Sequence, residues 1–398
     1  MKWFRVDSFS EAWRPVYRLS RLFSFTTMTY NFRDQTASRT STDQILLVMG
    51  VFMCVGAMYY SFAFYQEQFH TITNSHITSA GLFGVLVIII TLHMTTLIFN
   101  YVNAAGISHF PRTIQNIDRQ ISALFMYRWN YQTEQLTYIT FNVVRFLGWS
   151  VIIRIMQNTK NTLERASWID YLAMTVVFGW VNLGYQVNAV SWLAILATIR
   201  KRISVLNQHM RIELLTDSAS QKDPHQLGKL VMRIGILQSR ISDVIDDFNN
   251  CHSTTVMFSL APAFLFTVFS WFGLVHAYAA SVEDLIPYAW ATVTLSLNYI
   301  SFIFYDVLFS ALVNKQVKET AVIVHKAIGY RTYSREVSRQ LRKISQQLWH
   351  HSPVISCGLF HFDWELIYTM ISSLNTYLVI LMQFDLVNYT KSVPSAQP

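Results

Sequence analysis

Charged residues are scarce in this chain of 398 residues, where only 14% are Asp, Glu, Lys or Arg. A soluble globular chain usually carries about 25% charged residues, whereas here 52% of the residues are hydrophobic. The few charges are grouped between long apolar runs. This composition excludes an ordinary soluble domain and predicts an integral membrane protein.

Cysteine and the common catalytic motifs are also lacking. The three cysteines, Cys54, Cys251 and Cys357, are scattered along the chain and odd in number. They form neither a disulfide framework nor a pair at metal-binding spacing. The sequence contains no HExxH, no P-loop, no glycine-rich nucleotide motif after a strand and no Ser/His/Asp order. We therefore predict that the protein is not an enzyme and has no cofactor or metal site.

Seven apolar runs are present instead, each close to the about 20 residues that a helix needs to cross a bilayer. Backbone polar groups in lipid must be paired within the segment, so helices are the default. The predicted spans are residues 45–65, 80–102, 136–156, 171–198, 255–280, 286–313 and 364–384. The third span is the least regular, because Asn142, Arg145 and Arg154 interrupt it. The predicted fold class is an all-α membrane protein with seven transmembrane helices.

The basic residues are distributed unevenly among the connections between these spans. Most of the 31 Lys and Arg residues fall in the N-terminal segment and in the second, fourth and sixth connections. Cytoplasmic connections of membrane proteins carry such an excess. This predicts a cytoplasmic N-terminus and an extracellular C-terminus, opposite to a G-protein-coupled receptor. The lipid bilayer, rather than a nucleic acid, then accounts for the net charge of +8.

The long connections on the predicted cytoplasmic side have the pattern of helical extensions rather than linkers. Apolar residues recur there at steps of three or four, namely Leu230, Ile234, Leu237, Ile241 and Ile245, and then Val337, Leu341, Ile344 and Leu348. A polar stretch at 217–224 divides the fourth connection into two helices. Near the N-terminus, Trp13, Val16 and Tyr17 alternate with arginines. This predicts a short amphipathic helix at the inner leaflet.

These patterns divide the chain into five parts. Residues 1–43 form a cytoplasmic segment with the amphipathic helix, and residues 45–313 form a six-helix transmembrane bundle that includes cytoplasmic helices at 199–253. Residues 314–363 form a second cytoplasmic region, residues 364–384 form the seventh helix, and residues 385–398 form a short extracellular tail.

The seventh span carries a polar stripe, formed by Thr369, Ser372, Thr376 and Gln383 together with Ile380. Their spacing places all five on one face of a helix. A polar face on a membrane helix needs water or another helix rather than lipid. The stripe therefore predicts either a pore wall or a tight helix–helix contact. One helix per chain cannot enclose a pore, so a pore would require an oligomer with this helix at its axis.

Aromatic side chains crowd the predicted outer halves of the spans. The candidates for a ligand pocket are Tyr60, Trp149, Trp180, Trp271, Tyr278 and Trp290, with the amides of Asn182, Gln186 and Asn188 to orient a small organic ligand. The alternative is that these rings sit at the membrane–water interface. Arg145 and Asp306 also lie within predicted spans, where an ionisable residue is either functional or paired across helices.

Thr376-Tyr377 and Gln383-Phe384 bracket five apolar residues in the seventh span. This pattern, TYhhhhhQF with h apolar, closely resembles the C-terminal signature of the insect gustatory receptors. Upstream, Cys357-Gly358-Leu359-Phe360 followed by Asp363 resembles the segment that leads into the last helix of that family. The layout of the whole chain agrees, whereas specific residues match only between positions 357 and 384.

The resemblance implies a ligand-gated, non-selective cation channel, similar to the insect odorant receptors. It implies a homo- or heterotetramer of related receptor subunits in the plasma membrane of gustatory sensory neurons. The last helix, with Thr369, Ser372, Thr376, Ile380 and Gln383, would line the pore. Residues 314–363 would belong to a cytoplasmic anchor where the subunits meet. A small-molecule tastant would bind in the outer half of each subunit.

One departure from the family pattern bears on the ligand. Sugar-sensing members tend to have Glu directly after the Thr-Tyr pair, where this chain has Leu378. The resemblance therefore favours bitter or other non-sugar tastants. Two other functions stay open: a carrier for a small organic solute, although no repeats or paired helix breaks are visible, and a metabotropic seven-helix receptor, which the predicted topology disfavours.

Overall fold

The computed structural model describes residues 6–32, 34–62, 76–158, 168–216, 223–279, 286–330, 332–350 and 353–392. Within these ranges the chain forms ten helices and one two-stranded hairpin. The helices are α1 (Phe9–Leu22), α2 (Ser41–Tyr60), α3 (His76–Val102), α4 (Ala104–Phe125), α5 (Tyr131–Asn158), α6 (Trp168–Leu215), α7 (Pro224–Ala279), α8 (Ile286–Tyr330), α9 (Arg335–His350) and α10 (Trp364–Ser392). The antiparallel strands β1 (Thr29–Asn31) and β2 (Thr36–Ser38) form the hairpin between α1 and α2.

Among the described residues, five helices are long and apolar enough to cross a membrane: α2, α3, α7, α8 and α10. They overlap the predicted first, second, fifth, sixth and seventh spans. The first span begins earlier than predicted, at Ser41, and its predicted last residues, 63–65, lie outside the described part. The predicted third and fourth spans fall on α5 and α6. The all-helical class is confirmed, while the count of seven spans and the orientation of the termini stay predictions.

Three helices are much longer than a bilayer requires. α6, α7 and α8 have 48, 56 and 45 residues, against the about 20 that a span needs. α8 packs along both α6 and α7, and α3 packs against α7. The predicted helical extensions are therefore present. α8 continues without interruption through residues 313 and 314. These residues were the predicted boundary between the six-helix bundle and the second cytoplasmic region.

The extensions of α6, α7 and α8 pack with α9 into one apolar core. The periodic positions of α9 (Val337, Leu341, Ile344 and Leu348) are all buried in it, as are Ile234, Leu237, Ile241 and Ile245 of α7. Leu230 is half-buried at its edge. Gly235 allows α7 and α9 to approach closely, because a Cβ there would lie 3.0 Å from Ile344 Cγ1. α6 ends at Leu215 and α7 begins at Pro224, in agreement with the predicted break.

The N-terminal helix is amphipathic as predicted, but its apolar face does not lie free for the inner leaflet. Phe9, Trp13, Val16 and Tyr17 are buried within the protein core. The Trp13 ring packs against Tyr138 of α5, with 5.7 Å between ring centroids. Periodicity shows that one face of a helix is apolar but does not distinguish lipid from protein as its partner. The hairpin after α1 was also not predicted.

The second predicted connection is mostly one helix, α4, which the span-based division did not identify. Its buried face includes Ile114, Ile117 and Ile121 at helical spacing. Pro111 lies inside the helix, and its ring and missing N–H make the local sequence a poor helix candidate. Packing of α4 against α1, α6 and α7 stabilises it despite this residue.

The C-terminal helix is longer than predicted. α10 runs to Ser392, past the predicted end at Phe384 and into the predicted extracellular tail. Asp385 therefore belongs to the helix. Residues 393–398 lie outside the described part.

Candidate pore helix and membrane cavities

α10 has two distinct faces in the isolated chain. The polar stripe of Thr369, Ser372, Thr376, Ile380 and Gln383 is exposed along its whole length. The half-buried residues, including Leu374, Leu378 and Leu381, fall on the other side, where α10 packs against α7 and α8. None of the residues from Trp364 to Asp385 is buried. The stripe thus faces away from its own chain.

The segment before α10 is fixed by two asparagines of the long helices. Asn249 of α7 donates from Nδ2 to the Val354 carbonyl at 2.8 Å and accepts from the Ser356 N–H at 3.2 Å. Asn314 of α8 accepts from the Ile355 N–H at 3.3 Å. These bonds hold the start of the pore-helix candidate to the core.

The upstream part of the family-like signature forms a tight turn. The Cys357 N–H donates to the Phe360 carbonyl at 3.2 Å. Between them, Gly358 has a φ of 83°, a conformation that favours glycine over residues with a Cβ. Asp363 then caps α10, because its Oδ1 accepts from the Leu366 N–H at 3.3 Å. The signature residues 357–363 therefore shape the entry into the helix.

The four signature residues of α10 itself have different environments. Thr376 donates its hydroxyl to the Ser372 carbonyl of the same helix at 3.1 Å. Tyr377 is half-exposed and its ring meets Phe264 of α7 edge-on, with 6.2 Å between centroids. Gln383 and Phe384 are exposed. Of the four signature residues, Tyr377 therefore contacts α7. Thr376, Gln383 and Phe384 are exposed to lipid, water or another subunit.

The seven predicted pocket residues do not converge. Trp180 packs between Phe23 and His93, whereas Trp271 lies in a separate apolar cluster between α7 and α8. Tyr278 and Trp290 are exposed and joined by a hydrogen bond from Trp290 Nε1 to the Tyr278 hydroxyl at 3.1 Å. Tyr60 is half-buried beside Tyr59, and Trp149 and Gln186 are buried. None of the seven lines either of the two cavities described next.

A cavity of about 30 Å³ lies between α3, α6, α7 and α8. Its wall combines aromatic rings with polar side chains, among them His93, Tyr185, Asn188, Trp192 and Tyr299. His93 Nε2 and Trp192 Nε1 are buried without a hydrogen-bond partner in the described part of the chain. The wall therefore offers hydrogen-bonding atoms on an otherwise apolar surface. Of the amides that the sequence analysis named, Asn188 lines this cavity, whereas His93 was not singled out from the sequence.

A second cavity of about 50 Å³ adjoins the first, since Phe25 and Asn188 line both. It lies beneath α1 and is also lined by Tyr30, Asn100 and His252. Asn100 Oδ1 and His252 Nδ1 lack hydrogen-bond partners among the described residues. Both cavities are far smaller than the about 300 Å³ of a typical ligand pocket. A tastant-sized molecule can enter only if the lining side chains move.

The arginine within the predicted third span has partners on α8. Arg145 of α5 donates from Nη1 to Asn298 Oδ1 at 3.2 Å and to the Ser301 hydroxyl at 2.8 Å. Its guanidinium carbon lies 3.9 Å from the centroid of the Phe302 ring. Asp306, one turn further along α8, is buried. These contacts agree with the expectation that Arg145 pairs across helices.

A buried charge cluster joins α4, α5 and α6; we call it the Arg202 cluster. Arg202 Nη2 lies 2.8 Å from Asp118 Oδ2, and Arg202 Nη1 lies 2.9 Å from Glu134 Oε2. Lys201 Nζ lies 2.7 Å from the other oxygen of Glu134. Tyr131 donates its hydroxyl to Asp118 Oδ2 at 3.2 Å. Two cations and two carboxylates thus balance in a site that is buried except at Lys201, whose side chain is 33% exposed.

The electrostatics of this cluster keep the guanidinium charged. Burial disfavours the charge, but Asp118 and Glu134 more than offset it and raise the pKa of Arg202. Burial raises the pKa of Asp118, and Arg202 opposes that rise. Burial, reinforced by Asp118, also raises the pKa of Tyr131. The cluster has the character of a structural tie rather than a site for proton transfer.

Metal ligation finds no support in the described residues, which contain no group of three His, Cys, Asp or Glu side chains arranged to hold an ion. Cys54, Cys251 and Cys357 are free thiols. The predicted absence of a cofactor and of a nucleic-acid partner has no direct test in this geometry.

The fold is shared with solved insect receptors. The chain superposes on the insect olfactory receptor OR5 from Machilis hrabei with a TM-score of 0.64, covering 93% of this chain and 97% of that one at 10% identity. The same receptor in complex with eugenol gives a TM-score of 0.65 over 94% of this chain and 99% of that one, again at 10% identity. At this identity the likeness concerns the fold alone.

Two curated relatives match shorter stretches of sequence. Gustatory receptor 10a of Drosophila melanogaster is 28% identical over 98 residues, which is 24% of each chain. Putative gustatory receptor 28b of the same species is 39% identical over 71 residues, 18% of this chain and 15% of that one. The matched stretches therefore span about a quarter or less of either relative.

The sequence profile described as 7tm chemosensory receptor matches residues 13–388, which is nearly the whole chain. It is the profile of a receptor family, which confirms that the chain is not an enzyme. The two gustatory relatives support the resemblance to insect gustatory receptors that was inferred from the sequence signature. The chain therefore belongs to the 7tm chemosensory receptor family.

Proposed function

We propose that the chain is a subunit of a ligand-gated, non-selective cation channel whose pore is lined by α10. The observation that carries the proposal is the exposure of α10, which is apolar enough to span a membrane yet has no buried residue from Trp364 to Asp385. Its polar stripe points away from the chain, and such a face is unfavourable against lipid. Water and further copies of the helix would satisfy it.

The proposed assembly is a homo- or heterotetramer with α10 of each subunit at the axis. In such a ring the Gln383 amides form a polar collar, and Ile380 lies one turn below it. Rings of neutral polar groups and apolar constrictions can gate ion flow by dewetting. Residues 314–363 would form the cytoplasmic anchor, where the exposed surface of α9 meets neighbouring subunits.

The proposed ligand is a small organic tastant of the bitter or another non-sugar class. Leu378, in place of the Glu typical of sugar receptors, supports this choice. The two cavities add aromatic rings and unpartnered polar atoms that suit a small organic molecule. The olfactory receptor OR5, whose fold this chain shares, was solved with eugenol. We place the channel in the plasma membrane of gustatory sensory neurons.

The proposal is tested by expressing the full chain in cells without endogenous taste receptors and recording current during rapid application of a panel of bitter compounds. We expect tastant-evoked current, and we expect Gln383→Ala to change its ion permeability or amplitude severalfold, since the collar would lose its amides. Gln208→Ala is the matched control, because Gln208 is exposed on α6 and away from α10.

Two outcomes would contradict this function. Saturable uptake of a solute without macroscopic current would favour a membrane carrier. A response that requires a G protein and persists without current would favour a metabotropic receptor. Current only after coexpression with a related subunit would identify the assembly as a heteromer and keep the channel proposal.

A further inference from the structure

One hydrogen bond between side chains connects α10 to the helix behind it. His276 lies one turn before the end of α7, and its Nδ1 lies 2.6 Å from Asp385 Oδ2 of α10. The side chains of His276 and Asp385 are 12% and 26% exposed. The ring of Phe272 lies against His276, with 6.3 Å between centroids. The pair is therefore largely shielded from water without being sealed from it.

Asp385 lies behind the proposed pore wall. It follows Gln383 by two residues, which corresponds to a rotation of about 200° around an α-helix. Gln383 is exposed, whereas Asp385 shares the half-buried side with Leu378 and Leu381. Attraction between Asp385 and His276 therefore pulls this end of α10 toward α7, in the direction opposite to the one in which Gln383 points.

This contact is the sole hydrogen bond or ion pair recorded between α10 and another helix within the described residues. The rest of that interface is made by half-buried apolar side chains and by the Tyr377–Phe264 ring contact. Apolar contacts of this kind allow a helix to slide or tilt, whereas a short hydrogen bond fixes one point. The position of this end of α10 thus depends strongly on one pair.

We propose that His276 and Asp385 form a latch that holds the outer end of the pore helix back against α7 and makes channel opening sensitive to external pH. The proposal rests on the proposed function, in which α10 lines the pore. Because the latch retracts the end that carries Gln383, it widens the ring and favours the open state. His276 and Asp385 are positioning residues, since neither lines the pore.

The sign of the pH effect follows from the chemistry of the pair. Histidine is the side chain whose charge changes between about pH 5 and 8, while aspartate stays ionised there. Protonation of a histidine beside a carboxylate turns their hydrogen bond into an ion pair, so acidification strengthens a contact of this kind. Among the described residues, Asp385 is the one charged group that contacts His276.

The experiment measures tastant concentration–response curves of the full chain at external pH of about 8 and about 6. For the wild type we expect the half-maximal concentration to fall by roughly two- to fivefold on acidification, the range for a partly exposed ion pair. His276→Gln keeps a hydrogen-bond donor without titrating, and Asp385→Asn removes the charge. Both variants should lose the pH shift and respond at pH 6 as the wild type does at pH 8.

Two further variants make the test specific. The exchange of His276→Asp with Asp385→His restores a titratable pair and should restore the pH shift, which a general loss of folding would not allow. Glu365→Gln removes an exposed acidic residue at the other end of α10, and it should keep the shift. Surface labelling of each variant normalises the currents for expression.

The outcomes separate the latch from the channel. Tastant-evoked current with a pH shift unchanged in His276→Gln overturns the latch and leaves the channel standing. A shift produced by internal rather than external pH, or a shift toward higher concentrations on acidification, also overturns it. Absence of current from surface-expressed protein under the whole panel refutes the channel and the latch together.

Discussion

At the scale of single residues, Arg202 stands out because its charge is completely buried. Its guanidinium lies 4.7 Å from the centroid of the Trp129 ring and 4.9 Å from that of Phe9, in addition to its two carboxylate partners. A buried ion pair is weak evidence of net stabilisation. Removal of one partner, however, leaves the other as an uncompensated buried charge, which is strongly destabilising. The Arg202 cluster thus makes α1, α4, α5 and α6 depend on one side chain.

We predict that Arg202→Met lowers the free energy of unfolding by about 3–5 kcal/mol, because Asp118 is left as a buried, unpaired carboxylate. The measurement is thermal unfolding of the full chain in detergent, together with its surface expression. Arg211→Met is the control, since Arg211 is 57% exposed in its pair with Glu319 and such pairs contribute about 0–1 kcal/mol. Equal stability of the two variants would show that the cluster is not structural.

Single residues of a site were the hardest feature to predict. Trp180 was predicted to line a ligand pocket, but its ring packs against Phe23 and His93 and lines neither of the two cavities. The sequence shows where along a predicted span an aromatic residue lies. The direction of its ring depends instead on packing between helices that are distant in sequence. No sequence pattern identified His93, because its place in the wall of the first cavity arises only from the packing of α3 against α6.

At the scale of elements, α1 shows what periodicity can and cannot predict. Its helical pattern was recognised, and Ser8 caps it by accepting from the Glu11 N–H at 3.3 Å. The partner of its apolar face was not recognised, because Trp13 suits both a membrane surface and a protein core. The periodic residues of α9 were easier, because alternation with many charges excludes a membrane span and leaves a protein partner.

We predict that Trp13→Ala destabilises the full chain by about 3–5 kcal/mol, the usual loss for a large buried aromatic residue. The reason is that its ring fills the space between Phe110 and Tyr138, with centroid distances of 5.3 and 5.7 Å. Unfolding in detergent measures the effect, since no bilayer contributes there. Leu22→Ala at the exposed end of α1 should change stability little. If Trp13→Ala did the same, the helix would rest on lipid instead.

At the scale of the whole molecule, the number and direction of the membrane crossings remain to be tested. We predict that an N-terminal tag is reached by antibody only after permeabilisation, whereas a C-terminal tag is reached on intact cells. A tag inserted between residues 159 and 167 distinguishes seven spans from five. It is external only if α5 and α6 both cross, because otherwise the chain stays on the cytoplasmic side from α3 to α7.

The reverse accessibility of the terminal tags would contradict the orientation derived from Lys and Arg. An internal tag at 159–167 would contradict the count of seven. The sequence supports that count only weakly in this region, because Asn142, Arg145 and Arg154 interrupt α5. Arg145 is accommodated there by Asn298, Ser301 and the Phe302 ring, a partnership between distant parts of the chain that hydropathy does not register.

The uninterrupted length of α7 gives the molecule a mechanical property. A helix of 56 residues is about 84 Å long. A bend within it would therefore move the part in the membrane relative to the part outside. Pro262 has no N–H to donate to the Phe258 carbonyl, and both residues border the first cavity. The missing hydrogen bond makes this turn of α7, beside the first cavity, the place where the helix bends most easily. A bend of about 5° at Pro262 would displace Ala279, which lies about 26 Å further along the helix, by about 2 Å, given a rise of about 1.5 Å per residue.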